Sequence, residues 1–320
     1  MVIVVVMDRV TGLREDQDTS LALMRAAASR GHEVWHCRPA ALSLVDGRLR
    51  ATGRPVRFTP APEPGTVTVL DLHTVDAVLV RSDPPFDSAY LAATLLLERL
   101  RGDTLVLNDP RGLREANEKL YACHFPACMP PTLVTADREQ LLDFAVAQRG
   151  AVLKPLFGHG GRGVVALMPG DRNAPALVEQ ATHGGERQVM AQAFLPEVEQ
   201  GDKRVLLLDG EPLGAILRRP APGDFRANIG VGAKVRACAL DPADLRIVER
   251  IGPRLRADGL WLVGIDVIGG RLTEVNVTSP TGLVQLSDFS GVRHDLHVVR
   301  ALEAKVRDTA ASRTPGGPTA

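Results

Sequence analysis

The chain has 320 residues, with 38 Lys plus Arg against 38 Asp plus Glu, so its net charge is zero and gives no global attraction to nucleic acid or to an anionic membrane. A hydrophobic share of 45% is ordinary for a soluble globular protein, and the length predicts two or three domains with ample core. The apolar run 1–7 lacks a basic flank and stops at Asp8, so it reads as a buried strand rather than an export signal, and no other run approaches membrane-spanning length.

In chain order, 2–7 reads as a strand, 19–29 as an amphipathic helix closed by Gly31, and 32–37 as a second strand. A hairpin and a Pro/Gly-rich loop are expected across 45–66. Strand, helix, strand and helix then follow at 76–81, 89–100, 104–107 and 113–123. This alternation predicts an N-terminal α/β domain over 1–125, with a mostly parallel sheet covered by helices. The prolines between 126 and 131 break the chain and mark a junction. Beyond them, helices near 138–148 and 241–258 interrupt glycine-rich and strand-rich segments. We expect one subdomain over 126–200, another over 201–305, and a disordered tail over 306–320. Cys37, Cys123, Cys128 and Cys238 form no C-x-x-C pair, so reduced, mostly buried thiols in the cytoplasm are expected.

The first stretch that carries chemistry is 151–167. An apolar strand ends in Lys154, and Gly158, Gly160, Gly161 and Gly163 follow before a second apolar run. Glycines let backbone N–H groups approach phosphate oxygens, and a nearby Lys adds a point charge. The G-x-G-x-x-G match at Gly158, Gly160 and Gly163 is literal. A dinucleotide site needs a helix next, whereas 164–167 reads as strand. The alternative is a plain glycine hairpin, against which Lys154 on the entering strand argues.

Residues 188–196 read as a strand leaving into a Pro-ended turn, followed by Gly201-Asp202-Lys203-Arg204. Asp202 suits ribose hydroxyls, and Arg204 suits a carboxylate or phosphate. The glycine-bearing loop across 218–234 carries Arg218, Arg219, Arg226 and Lys234. It is either a lid over an anionic site or a plain connection.

The most informative stretch is 272–281. Glu274 and Asn276 are two apart on a predicted strand, so they share a face. A carboxylate beside an amide oxygen suits a hard cation such as Mg²⁺, which is held by one or two carboxylates plus substrate phosphates. The preceding strand, 261–268, carries Asp266, and Gly269-Gly270 marks a hairpin. A two-residue loop pairs Asp266 with Thr273 and puts Glu274 on the opposite face. A three-residue loop puts Asp266, Glu274 and Asn276 together. A metal site therefore predicts the odd loop, and an ordinary half-exposed hairpin is the alternative.

Taken together, Arg81-Ser82-Asp83-Pro84-Pro85-Phe86-Asp87, Asn108-Asp109-Pro110-Arg111-Gly112-Leu113-Arg114, Asn117-Glu118-Lys119-Leu120, Leu153-Lys154-Pro155-Leu156, Gly201-Asp202-Lys203-Arg204 and 272–281 resemble the prokaryotic glutathione synthetase family of ATP-grasp ligases, in family order and over about 1–300. The resemblance implies an N-terminal α/β domain before a two-part α+β ATP-grasp fold. It also implies ATP- and Mg²⁺- (or Mn²⁺-) dependent joining of γ-glutamylcysteine to glycine, commonly by homo-oligomers such as tetramers. Lys119, Lys154, Gly160 and Gly161 would face ATP phosphates, the backbone from Ala193 to Leu195 adenine, and Asp202 ribose. Asp266, Glu274 and Asn276 would bind the metal. Arg204 and Arg226 would serve the reacting group, and Arg219 and Ser279 the peptide. The pattern departs at Gln17, Phe157 and Ala193. A ligase making another γ-glutamyl or specialised peptide, and a nucleotide-binding module without turnover, stay open as alternatives.

Overall fold

The computed structural model of the chain describes residues 1–59, 61–221, 223–227 and 232–313. Its first layer is built from β1 (Val2–Val6), α1 (Thr19–Ser29), β2 (Glu33–Val45), β3 (Arg48–Phe58), β4 (Pro62–Pro64), β5 (Thr68–Asp71), β6 (Ala77–Val80), α2 (Ser88–Leu97), β7 (Leu105–Leu107) and α3 (Pro110–Glu115). The strand order is β4-β3-β2-β1-β6-β7, with β5 also on β3. The run β2-β1-β6-β7 is parallel, as strand–helix alternation requires. The β3 side is antiparallel, because β2 runs on past residue 37 into a hairpin turning at Asp46-Gly47, both in the left-handed region at φ 49° and 79°.

The helix expected over 113–123 is broken. The Asn117 side-chain oxygen accepts from the amides of Lys119 (3.1 Å) and Leu120 (3.0 Å), which bends the chain into a local turn. A short 3₁₀ turn, Tyr121–His124, replaces the second half of that helix.

The second layer comprises β8 (Thr132–Thr135), α4 (Arg138–Ala147), β9 (Ala151–Pro155), β10 (Val165–Leu167), α5 (Ala174–Thr182) and β11 (Val189–Ala193). Its sheet is antiparallel in the order β10-β9-β11-β8 and has its own core around Leu141, Leu153 and Val178. The third layer is β12 (Asp202–Leu208), β13 (Glu211–Arg219), β14 (Lys234–Cys238), α6 (Pro242–Ala257), β15 (Leu262–Ile268) and β16 (Arg271–Asn276), an antiparallel sheet in the order β14-β13-β12-β15-β16. The chain then forms α7 (Leu283–Ser290) and α8 (His294–Arg313).

Sequence order does not set how the cores divide. The first and third sheets share both of their hydrophobic cores, which join Val4 to Val263 and Ile3 to Trp261 among others. A buried amide fastens the two. Asn108 accepts from the amides of Trp261 and Leu262 (both 2.9 Å) and donates to the carbonyls of Leu262 (3.0 Å) and Val277 (2.7 Å). Asn108→Ala leaves those buried groups unpaired. At about 1–3 kcal/mol for each orphaned group, it is expected to cost at least ~3 kcal/mol of stability. Urea unfolding at unchanged m-value checks this; a loss under ~1 kcal/mol would mean that the backbone finds other partners.

The tail expectation is corrected by α8, which runs to Arg313. Val298, Val299 and Leu302 are buried, and Val306 packs beside them against the core that holds α1. Glu303 receives Arg30 (2.5 Å) and His32 (2.7 Å) from the first domain. Helical spacing thus places an apolar stripe on a docking face, which outweighs the small polar composition. Residues 314–320 lie outside the described residues. Of the cysteines, Cys37 is buried, Cys128 and Cys238 are half-buried, and Cys123 is exposed, so the mostly buried set expected from sequence is corrected.

Candidate active site

A cleft opens between the second and third sheets. Lys154, Gly161 and the strand exit from Gln192 to Leu195 line one wall, and Asp202, Asp266 and Glu274 line the other. A wider groove of about 960 Å³ on the outer side of the glycine loop, past Phe157 and Leu177, contains none of these groups.

The hairpin of β15 and β16 arranges the acids by a route the sequence does not show. Gly269 and Gly270 both have left-handed φ (55° and 72°) in a two-residue loop pairing Ile268 with Arg271, so the expected three-residue loop is absent. Val267 faces Leu272, but Asp266 faces Glu274. Thr273 is the extra residue of a β-bulge, which slips the register by one and puts the two carboxylates opposite each other. The same slip lets Leu272 and Val275, three apart, both enter the core. Asn276 faces Gly264 and donates Nδ2 to Asp266 at 3.2 Å.

Charge is tightly paired here. Arg204 clamps Asp266 through Nε (2.5 Å) and Nη2 (3.1 Å), and Arg218 bridges Asp266 (2.9 Å) and Asp202 (2.5 Å). Burial opposes the charged form of Asp266, but the two guanidinium groups outweigh it and hold its carboxyl well below the usual carboxylate range. Asp202 has only a share of Arg218 and lies near Asp266, and burial pushes its carboxyl up. Its Oδ1 and the Arg218 Nε are buried without protein partners. On the phosphate side, the Nζ atoms of Lys154 and Lys119 lie 3.7 and 4.0 Å from Glu274 Oε1. Lys119 also donates to Gly158 O at 2.7 Å, joining the turn after α3 to the glycine loop. Gly160 and Gly161 sit in that loop at φ 62° and 75°.

The remaining expected site residues divide. Arg226 lines the cleft, pairs with Asp224 (2.7 Å) and reaches Gly161 O (3.4 Å). Ala193 and Leu195 line the cleft beside Phe194, whose ring meets Phe225 at 6.4 Å. Ser279 lies away from this cleft and donates to Arg81 O at 3.4 Å. Arg219 is exposed and donates to Gln200 O at 3.1 Å, so it is not brought into the site. Its neighbour Arg218, on the opposite face of β13, holds the inner position. Sequence reading counted Arg218 only among the cations of the candidate lid, whereas it is a buried residue of β13, and it assigned no role to Gln192 or Phe225. Of the lid segment 218–234, residues 222 and 228–231 lie outside the described residues.

Two lysines and a glycine loop facing paired acids across two α+β lobes define an ATP-grasp ligase fold. Solved structures agree on the fold. D-cycloserine synthetase DcsG matches with a TM-score of 0.67 at 18% identity, covering 95% of this chain and 99% of that one. The ATP-grasp ligase PsnB complexed with minimal precursor gives 0.65 at 20% identity, over 94% and 97%. Sequence comparison is more specific. The models "Prokaryotic glutathione synthetase, N-terminal domain" and "Prokaryotic glutathione synthetase, ATP-grasp domain" match residues 1–114 and 118–291. Glutathione synthetases of Thermosynechococcus vestitus and Synechococcus elongatus are 43% and 44% identical, over 92% and 93% of this chain and 96% and 97% of theirs. The chain belongs to the prokaryotic glutathione synthetase family and is an ATP-dependent ligase.

Proposed function

We propose that the chain joins γ-glutamylcysteine to glycine at the expense of ATP, releasing glutathione, ADP and phosphate. The observation that carries this reading is the convergence of Lys119 and Lys154 on Glu274, itself opposite Asp266. Asp266, Glu274 and the Asn276 amide offer hard oxygen donors. No cluster of three His, Cys, Asp or Glu suited to a metal occurs among the described residues. Such a set fits Mg²⁺ or Mn²⁺ completing its shell from nucleotide phosphates rather than an all-protein cage. When bound, the cation neutralises phosphate charge.

The protein's own groups do the rest. A carboxylate is a poor electrophile until it carries a phosphoryl group. Lys119, Lys154 and the Gly160–Gly161 amides hold phosphate oxygens, and the orphaned Asp202 Oδ1 suits a ribose hydroxyl. The backbone from Ala193 to Leu195, under Phe194 and Phe225, seats adenine. Arg204 fixes Asp266, Arg226 meets the developing charge and excludes water, and Ser279 faces the peptide. Arg219, which lies outside the cleft, has no place in this reading. No helix among the described residues is long and apolar enough to cross a membrane. A cytoplasmic homo-oligomer, a tetramer by family habit, completes the proposal.

ADP release measured with γ-glutamylcysteine and a panel of amines tests the reading; preference for an amine other than glycine would favour the related-peptide alternative. Lys154→Met keeps the stem and removes the charge, so ATP affinity is expected to fall by about 1–3 kcal/mol. Unchanged affinity by calorimetry would remove Lys154 from the phosphates.

A further inference from the structure

Residues 223–227 run along the cleft between Phe194 and the glycine loop. Phe225, Arg226 and Ala227 line it; Ala227 is buried, and the Phe225 ring meets Phe194 at 6.4 Å. Asp224 is the one carboxylate in this segment, and no step of the ligation above uses it.

Asp224 spends its bonding capacity on Arg226. Its Oδ1 accepts from the Arg226 amide (2.8 Å) and from Nε (3.0 Å), and its Oδ2 accepts from Nη2 (2.7 Å) and again from Nε (3.1 Å). The amide bond closes an Asx turn, and the side-chain fork closes a second ring over the same two residues. The Arg226 guanidinium holds the Asp224 carboxyl down at about 2, so the pair stays charged at any working pH. On its other side Arg226 Nη1 donates to Gly161 O at 3.4 Å. Nε and one N–H of each terminal nitrogen are thereby engaged, and the other N–H of each terminal nitrogen is left for an anion. An exposed ion pair of this kind adds little to stability, so its effect lies in orientation. The Arg226 side chain is 32% exposed and long, and without a partner it would have to be ordered as substrate arrives, at a cost in entropy.

We propose that Asp224 is a positioning residue that presets the Arg226 guanidinium beside the glycine loop, so that Arg226 meets the charge developing on the reacting group without first being ordered. The inference rests on the ligase reading above and adds a residue that touches no substrate and acts through Arg226.

A double-mutant cycle tests it, with Asp224→Asn, Arg226→Ala and the double variant assayed on ATP, γ-glutamylcysteine and glycine. Asp224→Asn keeps the size of the side chain and an oxygen for the Arg226 amide but removes the charge that holds the fork. It is expected to lower kcat at least ten-fold while the KM for ATP stays within two-fold. A merely structural role would instead disturb the cleft and raise that KM. The double variant is expected to be no slower than Arg226→Ala alone, because an absent arginine has nothing to be positioned. Losses that multiply in the double variant overturn the proposal, as does an Asp224→Asn protein with wild-type kcat beside a slow Arg226→Ala. Failure of the ligase reading has its own signature, a wild-type protein that forms no peptide bond between γ-glutamylcysteine and glycine, and it takes the proposal with it.

Discussion

Glu274→Gln is expected to lower kcat by about 10³-fold or more, since an ion-holding carboxylate contributes several kcal/mol to transition-state charge balance and each 1.36 kcal/mol is tenfold. The fold is expected to survive, because Glu274 is only half-buried and faces the cleft. A second readout separates site from scaffold. Glu274 lies between the ammonium groups of Lys119 and Lys154. Without its charge those cations lose a counter-ion, so ADP binding in the absence of divalent metal is expected to hold or tighten while turnover collapses. Near-normal turnover at saturating Mg²⁺ would sink the assignment.

Arg218→Met carries the largest expected stability cost. Arg218 is buried and is shared by Asp202 and Asp266, so its loss leaves one buried acid with no cation and the other with Arg204 alone. Breaking such a cluster costs about 3–5 kcal/mol. The pH dependence has a definite sign. In the wild type, burial already lifts the Asp202 carboxyl from 3.8 to about 7. The native state there binds a proton that the unfolded chain does not, so that group's contribution is full below 3.8 and is lost as pH rises through about 7. Removing Arg218 raises the Asp202 carboxyl further and lifts that of Asp266 from its depressed position, since both lose a cation that favours their charged form. The deficit of the variant is therefore expected to be widest above neutrality and to shrink on acidification, as protonated acids need no partner. Urea midpoints measured on both sides of neutrality check this. A pH-independent deficit would mean that lost packing, not charge, sets the cost.

Much of this site was legible in the residues. Lys154 before its glycines, Asp202 at a strand start, and the Asp266, Glu274 and Asn276 set all lie where sequence reasoning put them, because strand periodicity and glycine punctuation are local properties. What escaped was register. From the turn at Asp209-Gly210, regular pairing would place Leu217 opposite Asp202; from Gly269-Gly270 it would place Thr273 opposite Asp266. Each hairpin instead carries a bulge, with Leu213 and Thr273 as the extra residues, so the facing residues are Arg218 and Glu274. Period-two counting cannot see an inserted residue, and bulges concentrate beside sites where a side chain must be re-aimed. The inner arginine escaped because 218–234 reads in sequence as a loop rather than the end of a strand, and Arg219, implied by the family resemblance alone, is its exposed neighbour. The α3 break at Asn117 and the docking of α8 escaped for another reason: each depends on partners distant in sequence or on a side chain competing with the backbone.

The placement of α8 has a consequence during synthesis. The apolar face of α1 is finished only when Val298, Val299 and Leu302 arrive, and the Arg30–Glu303 ion pair spans 273 residues. At about 5–20 residues per second, a ribosome leaves that face uncovered for roughly 15–55 s, long after the first domain's strands have emerged. The nascent chain thus exposes a greasy helix for most of its translation. A stop codon before α8 would make that exposure permanent, delivering to chaperones and proteases a protein whose ATP cleft is fully encoded.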